Sequence, residues 1–132
     1  NKYHIPMIFY APGKITPGKF EKLTAQIDVG PTILGYLNFS YKSKFFGQDV
    51  FKMNEKDQRI FISTYQSLGY LKNNKLVILG PNKKTNTFIP DFKTGNSVAT
   101  ENEQWLTEEA IANYQMASEL YKRKGYQFSA KN

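Results

Sequence analysis

Hydrophobic and polar positions divide the chain into an apolar run, a short helical segment, several short strands and a terminal helix. Residues 5–10 are continuously apolar and end at an Ala-Pro-Gly turn. Continuous hydrophobicity is typical of a strand that is buried on both faces of a sheet. The pattern therefore predicts a buried strand over residues 5–10, within a sheet that helices cover.

A short helix is predicted next, over residues 29–37. Asp28 precedes it and is predicted to be its N-cap, because a carboxylate can accept hydrogen bonds from the free amides of a first turn. Pro31 is compatible with that turn, since those amides have no partner within the helix. Asn38 follows the apolar stripe and is predicted to end the helix in a left-handed conformation.

The pattern then changes to short runs that are rich in β-branched and aromatic residues and are separated by turn residues. These runs predict an antiparallel meander of three or four strands. The Asn73-Asn74 pair predicts a two-residue hairpin, because asparagine tolerates the positive φ of a type I′ turn. The predicted strands are residues 59–63, 67–72, 76–79 and 85–89, and residues 91–103 are predicted to be a polar loop.

A helix is predicted at the end of the chain. Thr107 is its predicted cap, acidic residues occupy its first turn, and the basic residues 122–124 occupy its last turn before Gly125. One face carries apolar residues at helical spacing, which predicts packing across the meander. That face consists of Ala110, Ile111, Tyr114, Ala117, Leu120 and Tyr121.

These elements together predict an α/β fold, more narrowly an α+β fragment. A buried strand and a short helix come from the edge of an α/β sheet, and the meander packed by the C-terminal helix follows. A length of 132 residues suits a single core. Residues 1–50 are predicted to complete a sheet, and residues 58–124 to form the antiparallel sheet with the terminal helix. The apolar run starts so close to Asn1 that we expect an upstream part of the protein to supply its neighbours.

The composition limits the chemistry of the chain. Without cysteine it has no disulfide, thiolate nucleophile or cysteine zinc site. Its one histidine, His4, has no second ligand nearby, which is a poor basis for a catalytic triad or a multi-histidine metal site. His4 is the candidate for a group beside an active site, and the alternative is a histidine bound to neighbouring backbone. We assign no catalytic residue and no metal ligand, so whether the chain is an enzyme stays open.

Other polar positions have structural explanations. Gly47 and Asp49 suggest a tight turn with a local aspartate hydrogen bond more than a phosphate-binding loop. Glu108 and Glu109 are adjacent on a helix and therefore diverge, which argues against a catalytic carboxylate pair. Aromatic residues of the meander could stack bases or sugars, but we expect them to pack the core. They are Phe61, Tyr65, Tyr70 and Phe88.

The formal net charge is +7, which raises nucleic acid or an anionic membrane as partners. The lysines are mostly scattered, so we expect a solvated basic surface and no nucleic-acid partner. The alternative function is a stand-alone basic module that binds a polyanion such as nucleic acid with strong salt dependence. No run approaches the roughly 20 apolar residues of a membrane span, so the fragment itself is expected to be soluble.

Three motifs occur in a recognisable order, at residues 3–13, 26–34 and 45–49. They resemble the C-terminal part of sulfatase-like enzymes of the alkaline phosphatase superfamily, and look closest to the lipoteichoic acid synthase-like phosphoglycerol transferases. In that family a strand follows a metal-binding Asp-His pair, an Ile-Asp-x-x-Pro-Thr-Leu-Leu type helix comes next, and a Phe-Phe-Gly-Arg-Asp type turn follows. Gln48 stands where that turn often has arginine. The hairpin at residues 65–79 and the helix at 110–121 also look like the elements that close such domains.

The resemblance implies that residues 1–132 are a single C-terminal subdomain of a larger catalytic domain. The family's chemistry is a metal-dependent attack on a phosphate or sulfate ester by threonine, or by formylglycine in true sulfatases. A divalent metal, Mn, Mg, Ca or Zn, is expected in the parent enzyme and none in this fragment, which should be inactive alone.

The expected partners are the missing N-terminal part of the same protein and, for the parent, its ester substrate. The parent is expected to be a membrane-anchored enzyme of the cell envelope with an extracytoplasmic catalytic domain. In the fragment, the predicted strand at residues 5–10 would leave an open edge, through which self-association is expected.

Overall fold

A computed structural model describes residues 4–44 and 46–127 of the chain. Short 3-10 turns connect the main elements at Gln26–Asp28, Glu55–Asp57 and Pro81–Lys83. The helices are α1 (Val29–Tyr36) and α2 (Gln104–Lys122). The strands are β1 (Ile60–Ser63), β2 (Leu68–Lys72), β3 (Lys75–Leu79), β4 (Thr85–Pro90) and β5 (Ser97–Thr100).

The five strands form one antiparallel sheet in the order β1-β2-β3-β4-β5. This arrangement confirms the predicted meander. The β2–β3 hairpin turns at Asn73 and Asn74, whose φ values are 48° and 58°. Both are positive, as the type I′ turn requires. Each strand lies next to its neighbour in sequence, so short local turns are enough to build the sheet.

The fifth strand, β5, lies within residues 91–103, which were predicted to be a loop. The chain reverses before it because the Asp91 carboxylate accepts hydrogen bonds from the amides of Lys93 (2.8 Å) and Thr94 (3.3 Å). The strand itself is Ser-Val-Ala-Thr and is largely exposed. Its sequence shows no alternation of apolar and polar residues that would indicate a strand. Backbone pairing with β4 stabilises a strand that its side chains do not indicate.

The strand predicted at residues 5–10 is not formed. Ile8 and Tyr10 are 84% and 87% exposed, and no described strand pairs with this run. A buried strand needs neighbouring backbone on its hydrogen-bonding edges, and the sheet of this chain does not supply it. The prediction of a buried strand is therefore wrong for this structure. Self-association through these residues stays a prediction. It was based on an open strand edge, which this segment does not form in the structure.

Helix α1 agrees closely with the predicted range and ends one residue earlier. Asn38, with φ 56°, adopts the predicted left-handed conformation after it. Helix α2 begins three residues before the predicted cap, so Thr107 lies inside its first turn, and Glu103 occupies the N-cap position. After α2, Lys124 is the left-handed residue (φ 52°), where Gly125 was predicted to end the helix.

The main core lies between α2 and one face of the sheet. It contains Tyr70, Val77, Leu106 and Ala110, with Phe61 and Leu79 packed against it. This packing confirms that the terminal helix covers the meander. Leu106 belongs to the core although it precedes the predicted start of the helix, whereas Tyr121, predicted to pack, is 74% exposed. Within the described ranges, no helix combines the length and apolar character that a bilayer span requires.

Candidate functional site

The described residues include a buried polar cluster that we call the Asp28–Arg59 centre. It consists of Asp28, Thr32, Arg59 and residues 46–50, a segment that we call the 46–50 turn because a backbone turn begins at Asp49. Asp28 lies at the junction of a 3-10 turn and α1, and Arg59 directly precedes β1. The centre therefore joins the N-terminal part of the chain to the sheet.

Asp28 and Arg59 form a forked ion pair. Arg59 Nη1 lies 3.1 Å and 3.2 Å from the two carboxylate oxygens of Asp28, and Nη2 lies 3.1 Å from Oδ1. Both side chains are buried, with 0% of the Asp28 and 7% of the Arg59 side chain exposed. A buried charge is tolerated only when it is paired and its remaining hydrogen-bonding groups are satisfied. The planar guanidinium matches the carboxylate in this way.

The rest of the carboxylate is used by backbone amides. Oδ1 accepts from the amide of Gln48 and Oδ2 from the amide of Ala25, each at 2.8 Å. Arg59 Nη2 also donates to the Phe46 carbonyl at 2.8 Å. In the described part of the chain, every buried side-chain nitrogen and oxygen has a hydrogen-bond partner. The charged pair thus binds the 46–50 turn at two points, the Gln48 amide through Asp28 and the Phe46 carbonyl through Arg59.

The predicted capping role of Asp28 is corrected by these contacts. Asp28 occupies the N-cap position of α1, but its side chain makes no hydrogen bond to the first turn of that helix. Its carboxylate is directed to Arg59 and to the Gln48 amide. A buried guanidinium attracts a carboxylate more strongly than exposed helix amides do, because charge interactions strengthen where water is excluded.

Thr32 connects α1 to the same turn. Its hydroxyl donates to the Asp28 carbonyl at 2.6 Å and accepts from the Val50 amide at 3.0 Å. Gly47 lies so close to the preceding 3-10 turn that a Cβ there would be 1.9 Å from the Ile27 carbonyl oxygen. Only glycine fits this approach without a shift of backbone. The turn is therefore fixed by charge, by hydrogen bonding and by close packing.

Of the tight turn predicted at Gly47 and Asp49, the part at Asp49 is confirmed, because the amides of Lys52 and Met53 donate to the Asp49 carbonyl at 3.1 Å and 2.9 Å, whereas Gly47 precedes this turn. Asp49 Oδ1 accepts a local hydrogen bond from the Phe51 amide at 3.0 Å. The adjacent glutamates diverge as predicted. Glu109 accepts from the Tyr70 hydroxyl at 3.0 Å, whereas Glu108 accepts from Gln104 Nε2 at 2.7 Å.

Tyr70 is buried between the sheet and α2, as predicted for the aromatics of the meander. Burial raises the pKa of its hydroxyl, and the hydrogen bond to Glu109 raises it further. Lys72 Nζ donates to the same Glu109 oxygen at 2.5 Å. Phe61 and Phe88 are partly buried, whereas Tyr65, at 99% exposed, does not pack the core. This cluster attaches the helix to the sheet.

His4 is exposed at the start of the described chain and is not part of the Asp28–Arg59 centre. Its proposed place beside an active site stays a prediction. No three histidine or acidic side chains among the residues described lie close enough to hold a metal ion. The Asp28 carboxylate is occupied by N–H donors, so the centre is organised for support and leaves no free ligand for a cation.

A second feature is an exposed apolar surface on residues 5–51, which we call the N-terminal apolar face. Its members that are more than half exposed are Ile5, Ile8, Tyr10, Leu37 and Phe39. Phe51 is at its centre and contacts the rings of Phe9 (6.0 Å), Phe20 (5.5 Å) and Tyr36 (6.2 Å). The ring contacts join residues 9, 20, 36 and 51 into one aromatic cluster within this exposed face.

The described part of the surface includes two clefts of similar size. One, of about 200 Å³, belongs to the N-terminal apolar face and is lined by Phe9, Tyr10, Ala11, Ile15, Ile33, Tyr36 and Leu37. The other, of about 230 Å³, is lined by residues of the first 3-10 turn and β1 together with Tyr114. No lysine, arginine, aspartate or glutamate lines either cleft. Neither therefore provides a built site for a charged substrate.

Sequence reasoning did not identify Arg59 or Thr32 as members of the site. Arg59 lies 31 residues after Asp28, and Thr32 reads as an ordinary residue of a short helix. The available signal was the resemblance, because Asp28 and Thr32 belong to the Ile-Asp-x-x-Pro-Thr motif. Only folding shows that the motif is held by Arg59.

A crystal structure of a protein in the alkaline phosphatase superfamily from Vibrio parahaemolyticus matches 87% of this chain, with 28% sequence identity and a TM-score of 0.81. This chain is similar to part of an alkaline phosphatase superfamily protein. The resemblance predicted from the three motifs is thereby confirmed at the level of the superfamily. The chain spans 28% of the length of the Vibrio protein, and no protein-family model matches it.

Proposed function

We propose that this chain is the C-terminal structural part of a metal-dependent sulfatase or phosphoglycerol transferase-like enzyme that acts on sulfate or phosphate esters. The observation that carries the proposal is the similarity to the Vibrio protein over 87% of the chain. The resemblance of residues 3–13, 26–34 and 45–49 to sulfatase-like enzymes supports the narrower assignment.

The proposed partner of this chain is the N-terminal part of the same enzyme. The N-terminal apolar face supports this assignment, because Ile8 and Tyr10 are exposed although their segment has the composition of a buried strand. The chain corresponds to 28% of the Vibrio protein, so the remainder of such a domain is large enough to cover that face. In the whole enzyme, residues 5–10 would pair with strands of that remainder.

The Asp28–Arg59 centre would support that strand indirectly, by fixing the elements that lie next to it in the sequence. It fixes α1 against the 46–50 turn through Asp28, and it anchors the turn to β1 through Arg59. The residues of this chain would position and brace the reaction centre, and the reacting groups would come from the rest of the enzyme. An oxygen nucleophile and a divalent metal are proposed there.

The described residues do not fit that metal. Three residues, Arg59, Gln48 and Ala25, donate N–H groups to the Asp28 carboxylate, and both of its oxygens are engaged. A metal ion in the proposed enzyme would therefore be held by the part that this chain lacks. The resemblance further suggests an envelope enzyme with a membrane anchor and an extracytoplasmic catalytic domain.

Expression of this chain alone, and of the chain extended by its upstream coding sequence, tests the proposal. Cleavage of p-nitrophenyl phosphate and p-nitrophenyl sulfate would be measured with and without Mn²⁺. We expect no turnover by the chain alone and metal-dependent turnover of one ester by the extended protein. The upstream sequence should contain an Asp-His pair, with a threonine nucleophile in a transferase or a cysteine, as the formylglycine precursor, in a sulfatase.

Two results would contradict the proposal. Ester cleavage by residues 1–132 alone would show a self-sufficient enzyme. An upstream sequence without the Asp-His pair would lack the metal-binding residues that the proposal requires. Tight oligonucleotide binding by the chain alone, with a steep dependence on salt, would favour the basic binding module instead.

A further inference from the structure

The end of α2 carries an exposed pair of stacked tyrosines. The rings of Tyr121 and Tyr126 lie 6.2 Å apart at an interplanar angle of 19°, and the residues are 74% and 47% exposed. Tyr126 returns beside Tyr121 because Lys124 is left-handed and the Gly125 amide donates to the Leu120 carbonyl at 2.8 Å. The tyrosine pair is therefore held by a defined turn.

Basic residues lie next to this pair along the chain. Lys122, Arg123 and Lys124 lie between the two tyrosines in sequence. Lys44 is brought to the same turn, where its Nζ donates to the carbonyls of Gly125 (2.5 Å) and Gln127 (2.8 Å). We call Lys44 and residues 121–126 the tyrosine–lysine patch.

The patch has an excess of positive charge. Glu119 is its acidic neighbour and lies 3.9 Å from Lys122 Nζ and 3.0 Å from Arg123 Nε. Lys44 and residues 121–126 include four cationic side chains and no acidic one, and two of these cations, Lys122 and Arg123, lie beside Glu119. Cations at a helix C-terminus are favoured by the helix dipole, which accounts for residues 122–124. The dipole does not account for Lys44, nor for two exposed aromatic rings beside the charges.

The shape of the patch selects the kind of partner. A single-stranded nucleic acid is bound along a groove that follows its backbone. Residues 121–124 and 126 of the patch are exposed at the end of α2, and neither cleft described above includes a residue of the patch. Tyrosine rings are suited to the level of lipid headgroups, and clustered lysine and arginine residues are attracted to anionic lipids.

We propose that the tyrosine–lysine patch docks against an anionic lipid surface. The cations supply the long-range attraction, and the two tyrosines insert at the headgroup level. This proposal rests on the end of α2 and is independent of the proposed catalytic role. Each cation close to such a surface strengthens binding about fivefold, so the loss of three weakens it on the order of 100-fold.

Co-sedimentation of the chain with lipid vesicles tests the proposal. Vesicles of phosphatidylglycerol mixed with phosphatidylcholine would be compared with vesicles of phosphatidylcholine alone. We expect binding to the anionic vesicles only, and weaker binding as salt rises. The variant K122Q/R123Q/K124N should lose most of this binding. The variant Y121A/Y126A keeps the charge and should bind several-fold more weakly.

A matched control separates the patch from net charge. The variant K83N/K84Q/K93Q also removes three positive charges, from exposed positions outside the patch. It should bind the anionic vesicles far more tightly than K122Q/R123Q/K124N does. Circular dichroism would confirm that each variant is folded, and the single variant R123Q, at a side chain 81% exposed, provides a milder change.

Three results would overturn the proposal. Equal loss in the two triple variants would assign binding to net charge. Binding to phosphatidylcholine vesicles that the patch variants leave unchanged would assign it to the N-terminal apolar face. Tighter binding to a single-stranded oligonucleotide than to anionic vesicles, lost in Y121A/Y126A, would identify the patch as a nucleic-acid surface.

Discussion

Replacement of Arg59 by methionine tests the buried ion pair directly. The substitution removes three contacts of 3.1–3.2 Å with Asp28 and the hydrogen bond to the Phe46 carbonyl, while it keeps an apolar side chain of similar length. The Asp28 carboxylate then stays buried without a cation. Breaking a buried pair in this way costs about 3–5 kcal/mol. Because the whole stability of a domain is about 5–15 kcal/mol, the variant should be severely destabilised.

Urea denaturation followed by circular dichroism measures this loss. The matched control is Arg123→Met, since Arg123 also pairs with a glutamate, 3.0 Å away, but its side chain is 81% exposed. Exposed pairs contribute about 0–1 kcal/mol, so the control should be nearly neutral. Hydrogen exchange provides a local readout, because the amides of Gln48 and Val50 donate to Asp28 and Thr32. Both should exchange faster in R59M.

The reasoning would be refuted if R59M and R123M had the same free energy of unfolding. It would also be refuted if the Gln48 amide kept its protection in a destabilised R59M. In the first case the buried pair would contribute no more than a surface pair. In the second, the turn would be held by its backbone alone, and the Asp28–Arg59 centre would not organise it.

Two further predictions concern the turn and the sheet–helix contact. Gly47→Ala should destabilise the fold by about 1–3 kcal/mol through overpacking against the Ile27 carbonyl, whereas Gly18→Ala, which meets open space, should change thermal stability little. Burial raises the pKa of Tyr70 above its usual value of 10.0, so the folded state holds this proton more tightly than the unfolded state does. The stability that this proton contributes is complete below about pH 10 and is lost as the pH rises above that value. In an ultraviolet titration, Glu109→Gln should lower the pH at which Tyr70 is half ionised. An unchanged ionisation pH would contradict the effect assigned to Glu109.

Local chemistry explains which parts of the fold were predictable. Asn38, Asn73 and Asn74 take the left-handed conformations expected of them, because the tolerance of asparagine for positive φ depends on the residue and its immediate neighbours. The apolar spacing of α2 predicted its packing across the meander for a similar reason. The motifs at residues 26–34 and 45–49 further indicated the superfamily before any contact between them was known.

Long-range contacts explain the parts that were not predictable. Asp28 was expected to cap α1, and the guanidinium that redirects it lies 31 residues away in sequence. The β5 strand depends on backbone pairing with β4, because its exposed Ser-Val-Ala-Thr sequence has no apolar face of its own. Residues 5–10 show the opposite error, a predicted strand that does not form. An apolar composition does not make a strand where no neighbouring strand offers backbone hydrogen bonds.

The amino-acid sequence by itself determined the β2–β3 hairpin, the helical segments and the family resemblance, because each depends on residues close together along the chain. The tertiary structure alone decided that Asp28 pairs with Arg59, that the 46–50 turn is hydrogen-bonded to Asp28 and Thr32, and that the N-terminal apolar face is exposed. The physical reason is that water exclusion and ion pairing act between groups that only folding brings together.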